Sequence, residues 1–350
     1  MGPTGERFRV LQLHPTRRCN LRCLHCYSSS APEERGELDA ALLRDALTDA
    51  AAEGYNVAGF SGGESILYKE LPNVLDHAHA RGFTTTVTSN GMLLDEKHLE
   101  VLRGRADVLA ISIDGVPESH NRVRASSRAF DAMVSHLEGV RASGINFGFI
   151  FTLTQYNLDE LEWVANFAVD QGAKLLQIHP LEDAGRAIEG MPGSRPDETE
   201  CAYAYFAARR LQKLFAGRIS VQLDLAHREL LRENPGSVFA QELDSSELDR
   251  ALADLISPLV LETDGTIVPI GFGFAREYRL GSLRHGRLRD FVPTWRRNIY
   301  PGLRQLFREV FEEETSPREF PCFNWYESVA RRAIVAALPT PTPALVQIHP

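Results

Sequence analysis

The 350-residue chain predicts an α/β fold, a partial (β/α)6 TIM-like barrel followed by a smaller α+β unit. Three observations point there. Short β-branched or apolar runs alternate with amphipathic helical segments from Arg9 to about His179. The distinctive polar motifs fall directly after those runs, and beyond residue 215 the alternation gives way to a hairpin and helices. Strands separated by helices at this spacing require parallel pairing with right-handed crossovers, and six strands fall short of the eight that close a full barrel.

The strand runs are Arg9–His14, Val57–Ser61, Phe83–Thr88, Val108–Ile113, Phe147–Thr152 and Leu175–His179. Helical segments are expected near 38–53, 70–81, 95–104, 128–143 and 158–171, where apolar residues recur at three- and four-residue intervals, as in Leu38, Leu42, Leu43, Ala46 and Leu47. Chemistry in such a fold gathers at the C-terminal ends of the strands. Cys19, Cys23 and Cys26 follow the first run, Gly62-Gly63-Glu64 the second, Ser89-Asn90-Gly91 the third, Asp114-Gly115 the fourth and Pro180 onward the sixth, so one mouth collects them. After a turn-rich stretch at 191–196 a helix is expected from Asp197 to Phe215, which closes a main domain of 1–215. The smaller domain, 216–338, is expected to hold a strand at Ile219–Leu223, helical material at 227–235 and 247–254, and helices near 302–313 and 324–338. Between these, Thr263-Asp264-Gly265-Thr266 joins two apolar runs as a hairpin turn. The tail, 339–350, opens Pro339-Thr340-Pro341-Thr342-Pro343 and reads as extended.

Hydrophobic residues at 43% and charged residues at 24% exclude a disordered or fibrous chain. No apolar run approaches the roughly 18 residues of a membrane span and no secretory stretch follows Met1, so a cytoplasmic protein without a membrane partner is expected. The formal charge of −9 argues against a nucleic-acid partner, which favours a basic field.

The five cysteines, at 19, 23, 26, 201 and 322, are too few and too unevenly spaced for a disulfide framework. Cys19, Cys23 and Cys26 have three and then two intervening residues, and no distant pair completes a zinc signature. Three thiolates leave a four-iron cluster with one iron lacking a protein ligand, an open position at which a molecule can be activated.

These residues resemble a family. CxxxCxxC with an aromatic before the last cysteine (Cys19, Cys23, His25, Cys26), GGE (Gly62, Gly63, Glu64), Ser112-Ile113-Asp114-Gly115, His120 with Arg124, Phe130-Asp131 and Gly185-Arg186-Ala187 are similar to the radical S-adenosylmethionine (radical SAM) enzymes of the SPASM-domain branch. The resemblance covers about 9–188. It implies one [4Fe-4S] cluster on Cys19, Cys23 and Cys26, whose unique iron chelates S-adenosyl-L-methionine. An electron from a donor such as flavodoxin or ferredoxin then releases a 5′-deoxyadenosyl radical that abstracts hydrogen from a substrate. The residues around the cysteines suit the cofactor. Gly62 and Gly63 permit close backbone approach, and Glu64 suits a cationic amine. Arg124 can fork onto a carboxylate and Ser112 can add a hydrogen bond. His25 is expected against the adenosyl group, Ser89, Asn90 and Asp114 as polar contacts, and Gln177, with His179, facing the same mouth. Ordinary roles stand beside these: a turn for Asp114-Gly115, a plain strand residue for Ser112, a salt bridge for Arg124 and local packing for His25.

The hairpin near Leu259–Ile270 looks like that of a SPASM domain, but Ile270 stands where the pattern calls for cysteine, and only Cys322 remains beyond it. One thiolate cannot hold an auxiliary cluster, so the appendage is expected to keep a SPASM-like shape without metals. Redox-neutral outcomes gain from that loss. With eighteen residues before Cys19, a fused leader-recognition domain is not expected, leaving a separate recognition protein or direct leader binding. The favoured substrate is a ribosomally synthesised peptide, undergoing epimerisation or C–C or other cross-linking. The alternative is a small metabolite, a sugar, nucleoside or amino-acid derivative, and a non-catalytic SAM-binding scaffold stands further off. Cys322 is a candidate hydrogen-atom donor to a substrate radical, while Cys201, like any free cysteine, also suits a buried core position.

Overall fold

The computed structural model describes residues 7–239 and 250–337. Its strands are β1 (Val10–Thr16), β2 (Val57–Gly62), β3 (Thr84–Ser89), β4 (Val108–Ile113), β5 (Asn146–Leu153), β6 (Leu175–Pro180), β7 (Ser220–Leu223), β8 (Ala226–His227), β9 (Leu259–Leu261), β10 (Thr266–Pro269), β11 (Gly281–Ser282) and β12 (Cys322–Phe323). The helices are α1 (Ala40–Ala52), α2 (Leu71–Ala80), α3 (Glu96–Leu102), α4 (Pro117–Val123), α5 (Ala129–Ser143), α6 (Leu161–Asp170), α7 (Ala187–Gly190), α8 (Glu198–Leu214), α9 (Arg228–Glu233), α10 (Leu252–Leu255), α11 (Leu288–Asn298), α12 (Tyr300–Glu314) and α13 (Trp325–Ala337).

Ten strands form one sheet in the order β11-β10-β9-β1-β2-β3-β4-β5-β6-β7. From β1 to β6 each strand pairs in parallel with the next, the partial (β/α)6 barrel expected. Two features depart from the expected division at residue 215. Ser220–Leu223 pairs in parallel with β6, and β9 pairs in parallel with β1, so the later part of the chain extends both edges of the barrel sheet. The physical reason is that an open parallel sheet leaves unpaired backbone groups at its edges, and strands from the remaining chain satisfy them. The C-terminal part is also tied down by polar contacts: Tyr55 Oη donates to the Ile256 carbonyl at 2.8 Å, and the Arg287 guanidinium meets the buried Asp49 of α1 at 2.7 Å.

Sequence periodicity did not point to α4 or α11. The first is a seven-residue helix started by Pro117, too short to show a clear period, and the second carries Pro293 inside it, a residue that argues against a helix interior. Residues 240–249 and the tail 339–350 lie outside the described residues, and of the expected 247–254 segment 252–254 is seen as helix, within α10.

The strands alternate cleanly. In β4 Leu109, Ile111 and Ile113 are buried against the helices, whereas Ala110 and Ser112 are half-buried on the other face; in β6 Leu176 and Ile178 alternate with Gln177 and His179 in the same way. The helix-facing layer takes in Leu43 and Leu47 of α1, Leu71 and Leu75 of α2, Leu99 of α3, Met133 of α5 and Val164 of α6. Each large apolar side chain removed from water there contributes about 1.5–3 kcal/mol. The opposite face carries most of the strands' polar residues: register aligns Ser112 and Gln177 in one row with Ile150 between them, and Thr152 with His179 in the next. That face and its C-terminal rim are left for the site.

Gly148 shows how tight the strand contact is, since a Cβ there would lie 2.7 Å from the Leu175 side chain and carbonyl in β6. Gly148→Ala is therefore expected to push β5 from β6 and lower stability by about 1–3 kcal/mol, measured as a lower urea midpoint with an unchanged slope.

Candidate functional site

The loop after β1 carries the three clustered cysteines against the rim. It is pinned from several sides by backbone contacts: Cys19 N–H donates to the Ala31 carbonyl at 3.2 Å, and Leu24 N–H to the Val123 carbonyl at the end of α4 at 2.9 Å. Gly63 and Glu64 donate their N–H groups to the Thr16 and Arg18 carbonyls at 2.8 and 2.9 Å. A Cβ on Gly63 would stand 2.2 Å from the Arg18 oxygen, so only glycine permits this approach.

Arg186 is the fastening that spacing alone did not explain. Its guanidinium donates to the Cys23 carbonyl at 2.7 Å and the Ser30 carbonyl at 2.8 Å, and its backbone N–H donates to the Cys26 carbonyl at 2.9 Å. Gly185 and Gly190 beside it have no room for a Cβ against the Tyr27 and Leu24 carbonyl oxygens, at 2.1 and 2.6 Å. The signal was present as Gly185-Arg186-Ala187, but the sequence does not say which carbonyls that segment meets.

The three thiols lie close enough to feel one another's charge. Burial pushes the Cys19 thiol up to about 12, with Glu64 adding to it, and burial raises Cys23 as well. Among the described residues no three His, Cys, Asp or Glu side chains close on a single ion. A four-iron cluster asks for something else, one thiolate on each of three irons, and it takes thiolates rather than thiols. Next to Cys19, Glu64 is buried, accepts the Asn90 N–H on Oε2 at 2.9 Å and leaves Oε1 without a partner. Asn90 in turn directs its amide to Asn20 Oδ1 at 2.7 Å and to Cys19 Sγ at 3.9 Å. Ser89 accepts the Gly91 N–H at 3.0 Å and fixes this turn. Three thiols with an orphaned buried carboxylate oxygen beside them fit a cluster with an amine-bearing ligand.

Arg124 departs from expectation. Its fork falls on Asp114, with Nε to Oδ2 at 2.5 Å and Nη2 to Oδ1 at 3.2 Å, instead of remaining open for a ligand carboxylate, because β4 and the end of α4 bring the two together in a buried position. Burial works against the Asp114 charge, but the guanidinium outweighs it and draws the carboxyl down to about 2. Asp114 is therefore engaged inside the protein too. His25 Nε2 lies 3.6 Å from Asp114 and its Nδ1 has no partner; burial lowers the imidazole to about 4, against the pull of Asp114.

Gln177 is likewise committed, donating to Asp224 Oδ2 at 2.7 Å. The same oxygen lies 3.0 Å from His179 Nδ1, and Glu182 Oε1 is 4.0 Å from His179 Nε2 while accepting the Asn324 amide at 3.1 Å. Burial opposes the imidazolium, yet Asp224 and Glu182 raise His179 to about 9. His179 is near enough to the cysteine loop to act on His25. Asp224, just beyond β7, was not foreseen, because the expected strand at Ile219–Leu223 pairs with β6 of the barrel instead of lying in a separate domain. Ser112 keeps its expected place on the polar face of β4.

Cys322 does not reach this rim. It is fully buried in β12, opposite His227 of β8, and burial pushes its thiol up to about 12. The small antiparallel ribbon, rather than the mouth, is what this cysteine packs into, so the expected hydrogen-donor role has no access in this structure. Cys201 opens α8 as a buried thiol and points to the Pro196 carbonyl at 3.9 Å.

Residues 13–168 match the model of the radical SAM superfamily. The chain is 30% identical over 297 residues to an Fe-coproporphyrin III synthase of Methanosarcina barkeri, covering 82% of this chain and 73% of that protein. It is 26% identical to a PqqA peptide cyclase of Streptomyces rochei, over 58% of this chain and about half, 56%, of that one. Among solved structures, anSMEcpe with bound AdoMet aligns with a TM-score of 0.63 at 16% identity, covering 95% of this chain and 93% of that one. Streptococcus suis SuiB bound to the precursor peptide SuiA aligns at 0.64 and 14% identity, covering 85% and 66%. At these identities the structural likeness speaks for the fold. The chain belongs to the radical SAM superfamily, whose enzymes use a [4Fe-4S] cluster and S-adenosylmethionine.

Proposed function

We propose that Cys19, Cys23 and Cys26 hold the chain's one cluster, and that Glu64, through its unpartnered oxygen, receives the amino group of S-adenosylmethionine. When bound, the cofactor pair supplies a carbon radical able to take a hydrogen atom from a C–H bond. The protein holds the thiolates in place through Arg186, keeps Glu64 buried and dry, and presents the substrate from the polar strand face. The Leu259–Ile270 hairpin is read as a metal-free SPASM-like element. In its support, Ile270 is a buried β-branched residue at φ +73°, an uncommon backbone for such a side chain and one retained where the family's pattern places a ligand. A separate reductant, flavodoxin or ferredoxin, is required by the same chemistry.

The substrate is read as a ribosomally synthesised peptide, and the wall of the mouth carries that reading. Asp224 and Glu182 flank His179, with Tyr326 within reach of both charges, so two carboxylates meet one imidazolium. Such a wall suits backbone amides and basic side chains and repels a polycarboxylate. A tetrapyrrole is the second reading, favoured by the Fe-coproporphyrin III synthase alignment because it extends over 82% of this chain.

Anaerobically reconstituted protein should carry about four irons and, with S-adenosylmethionine and reductant, form 5′-deoxyadenosine; eight irons per chain would remove the metal-free reading of the hairpin. Substrate-stimulated 5′-deoxyadenosine formation separates the two readings: stimulation by a precursor peptide encoded beside the gene supports the first, and stimulation by an iron coproporphyrin alone replaces it with the second. Arg186→Ala should lower iron retention after gel filtration, since it releases two carbonyls of the cysteine loop.

His179 gives a pH test. Its folded pKa of about 9 lies above the ordinary histidine value of 6.5, so its pairing with Asp224 adds stability fully below pH 6.5 and loses it as pH rises through 9. The difference in Tm between wild type and His179→Gln should accordingly be present at pH 6 and shrink toward zero by pH 10, and it should be modest because the side chain is 41% exposed.

A further inference from the structure

Tyr27 follows directly on Cys26, and its backbone is fixed together with the cysteine loop. The Cys26 carbonyl accepts the Arg186 N–H at 2.9 Å, and the Tyr27 carbonyl lies where only a glycine at 185 leaves room for it. From there the side chain runs onto β1 and β2. Its Oη lies 2.9 Å from Ser61 Oγ of β2 and 3.3 Å from His14 Nε2 of β1. Phe272, in the loop after β10, closes the group, its ring centre 4.9 Å from that of His14 and 5.7 Å from that of Tyr27. Tyr27 is nevertheless 37% exposed, so the phenol belongs to the wall of the mouth and not to the core.

His14 decides where the hydrogens lie. Its ring is fully buried and burial lowers it to about 3, so it is neutral and carries one N–H. Nδ1 has no partner, and a buried N–H left unpaired is costly, which puts the hydrogen on Nε2, where Tyr27 Oη accepts it. The phenol oxygen is thereby held by a donor that stays in place after the phenol's own hydrogen has left. Burial also pushes the Tyr27 phenol up to about 12, which keeps that hydrogen on the oxygen at neutral pH.

We infer that Tyr27 is the hydrogen-atom donor that closes the reaction by returning hydrogen to the substrate carbon radical, with His14 as its positioning residue. The phenol O–H bond breaks homolytically and a substrate C–H bond forms, which leaves a neutral phenoxyl at Tyr27. One electron from the flavodoxin- or ferredoxin-class reductant and one proton from water then restore the phenol. A phenol O–H bond is about as weak as a thiol S–H, so Tyr27 can do what Cys201 and Cys322 are too deeply buried to do. The substrate regains the hydrogen it lost, and its oxidation state is unchanged. The inference rests on a substrate radical forming at this mouth, and 5′-deoxyadenosine measured in the same samples separates a failure of that reading from a failure of this one.

The test supplies one electron per chain. Reconstituted full-length protein is reduced, freed of excess reductant and mixed in heavy water with S-adenosylmethionine and a probe. The probe is the precursor peptide encoded beside the gene or, where only that stimulates 5′-deoxyadenosine, an iron coproporphyrin. With no second electron to restore the phenol, a phenoxyl radical should accumulate to within about twofold of the 5′-deoxyadenosine formed, and its EPR splitting should narrow in protein labelled with β-deuterated tyrosine. The phenol hydrogen exchanges with solvent, so the product should carry one deuterium at the reacting carbon. Tyr326→Phe should keep the radical signal, whereas Tyr27→Phe should lose it and form at least tenfold less deuterated product. His14→Phe, which keeps a ring beside Phe272 and removes the donor, should keep a phenoxyl whose largest g value is raised, the mark of a lost hydrogen bond. A measurement on the wild type does not depend on any variant folding: ¹⁵N-histidine labelling should add a ¹⁵N coupling to the phenoxyl by pulsed EPR. Product free of deuterium, a phenoxyl that survives Tyr27→Phe, 5′-deoxyadenosine without a phenoxyl, or no ¹⁵N coupling in the wild type would each overturn the inference. No 5′-deoxyadenosine with either probe would remove the reading beneath it, and the inference with it.

Discussion

Parallel pairing from β1 through β6 puts every C-terminal strand end on one rim, and the rest of the structure depends on that constraint. The cysteine loop leaves β1, the glycine pair ends β2, Ser89-Asn90 ends β3, Asp114 follows β4 and His179 closes β6. Residues far apart in the chain, such as Glu64 with Asn90 and Cys23 with Arg124, meet there because strands that follow one another in sequence lie side by side in the sheet. The same pairing leaves two raw edges, and the chain after α8 returns to cover both. The C-terminal part is therefore a wall of the mouth as well as an appendage: Asp224 stands next to β7 and Asn324 next to β12.

On that rim the cysteine loop is held by what is missing as much as by what is present. Gly63, Gly185 and Gly190 each admit a loop carbonyl where a Cβ would collide, and Arg186 then satisfies carbonyls that the closed loop would leave buried. Rigid backbone around the three cysteines prepares a ligand set without fixing the sulfurs on a single point. A multi-iron cluster needs such a frame, and a single tetrahedral ion would not.

Much of this was legible in the sequence because it depends on local period or fixed spacing. Val108–Ile113 is a strand in both readings, and the CxxxCxxC and GGE segments sit where the strand-end rule puts them. What remained hidden depends on which of several possible partners is nearest in space. Arg124 called for a carboxylate, but the sequence could not say that Asp114, ten residues earlier, would supply it instead of a ligand. Gln177 turns to Asp224 for the same reason, and Asp224 was invisible until Ser220–Leu223 joined the barrel sheet rather than a separate domain. Cys322 was placed near the mouth by analogy, whereas its burial comes from a two-strand ribbon too short to leave a periodic signature.

The burial of Cys322 bears on how a reaction at this mouth can end. Returning a hydrogen atom to the opposite face of a substrate radical requires a weak X–H bond within contact distance of that carbon. Cys322 would need the β8–β12 ribbon to open, and Cys201 is held at the start of α8. Of the side chains at the polar rim, His179 and Glu182 exchange protons readily and give up hydrogen atoms poorly, whereas the phenol of Tyr326, close enough to feel the Glu182 charge, carries an O–H bond weak enough to yield a hydrogen atom. Their geometry suits accepting or donating a proton while a bond forms elsewhere in the substrate. For the proposed radical reaction, the buried thiols of Cys322 and Cys201 are therefore poorly placed to return a hydrogen atom, and that step, where the chemistry needs one, falls to groups on the rim.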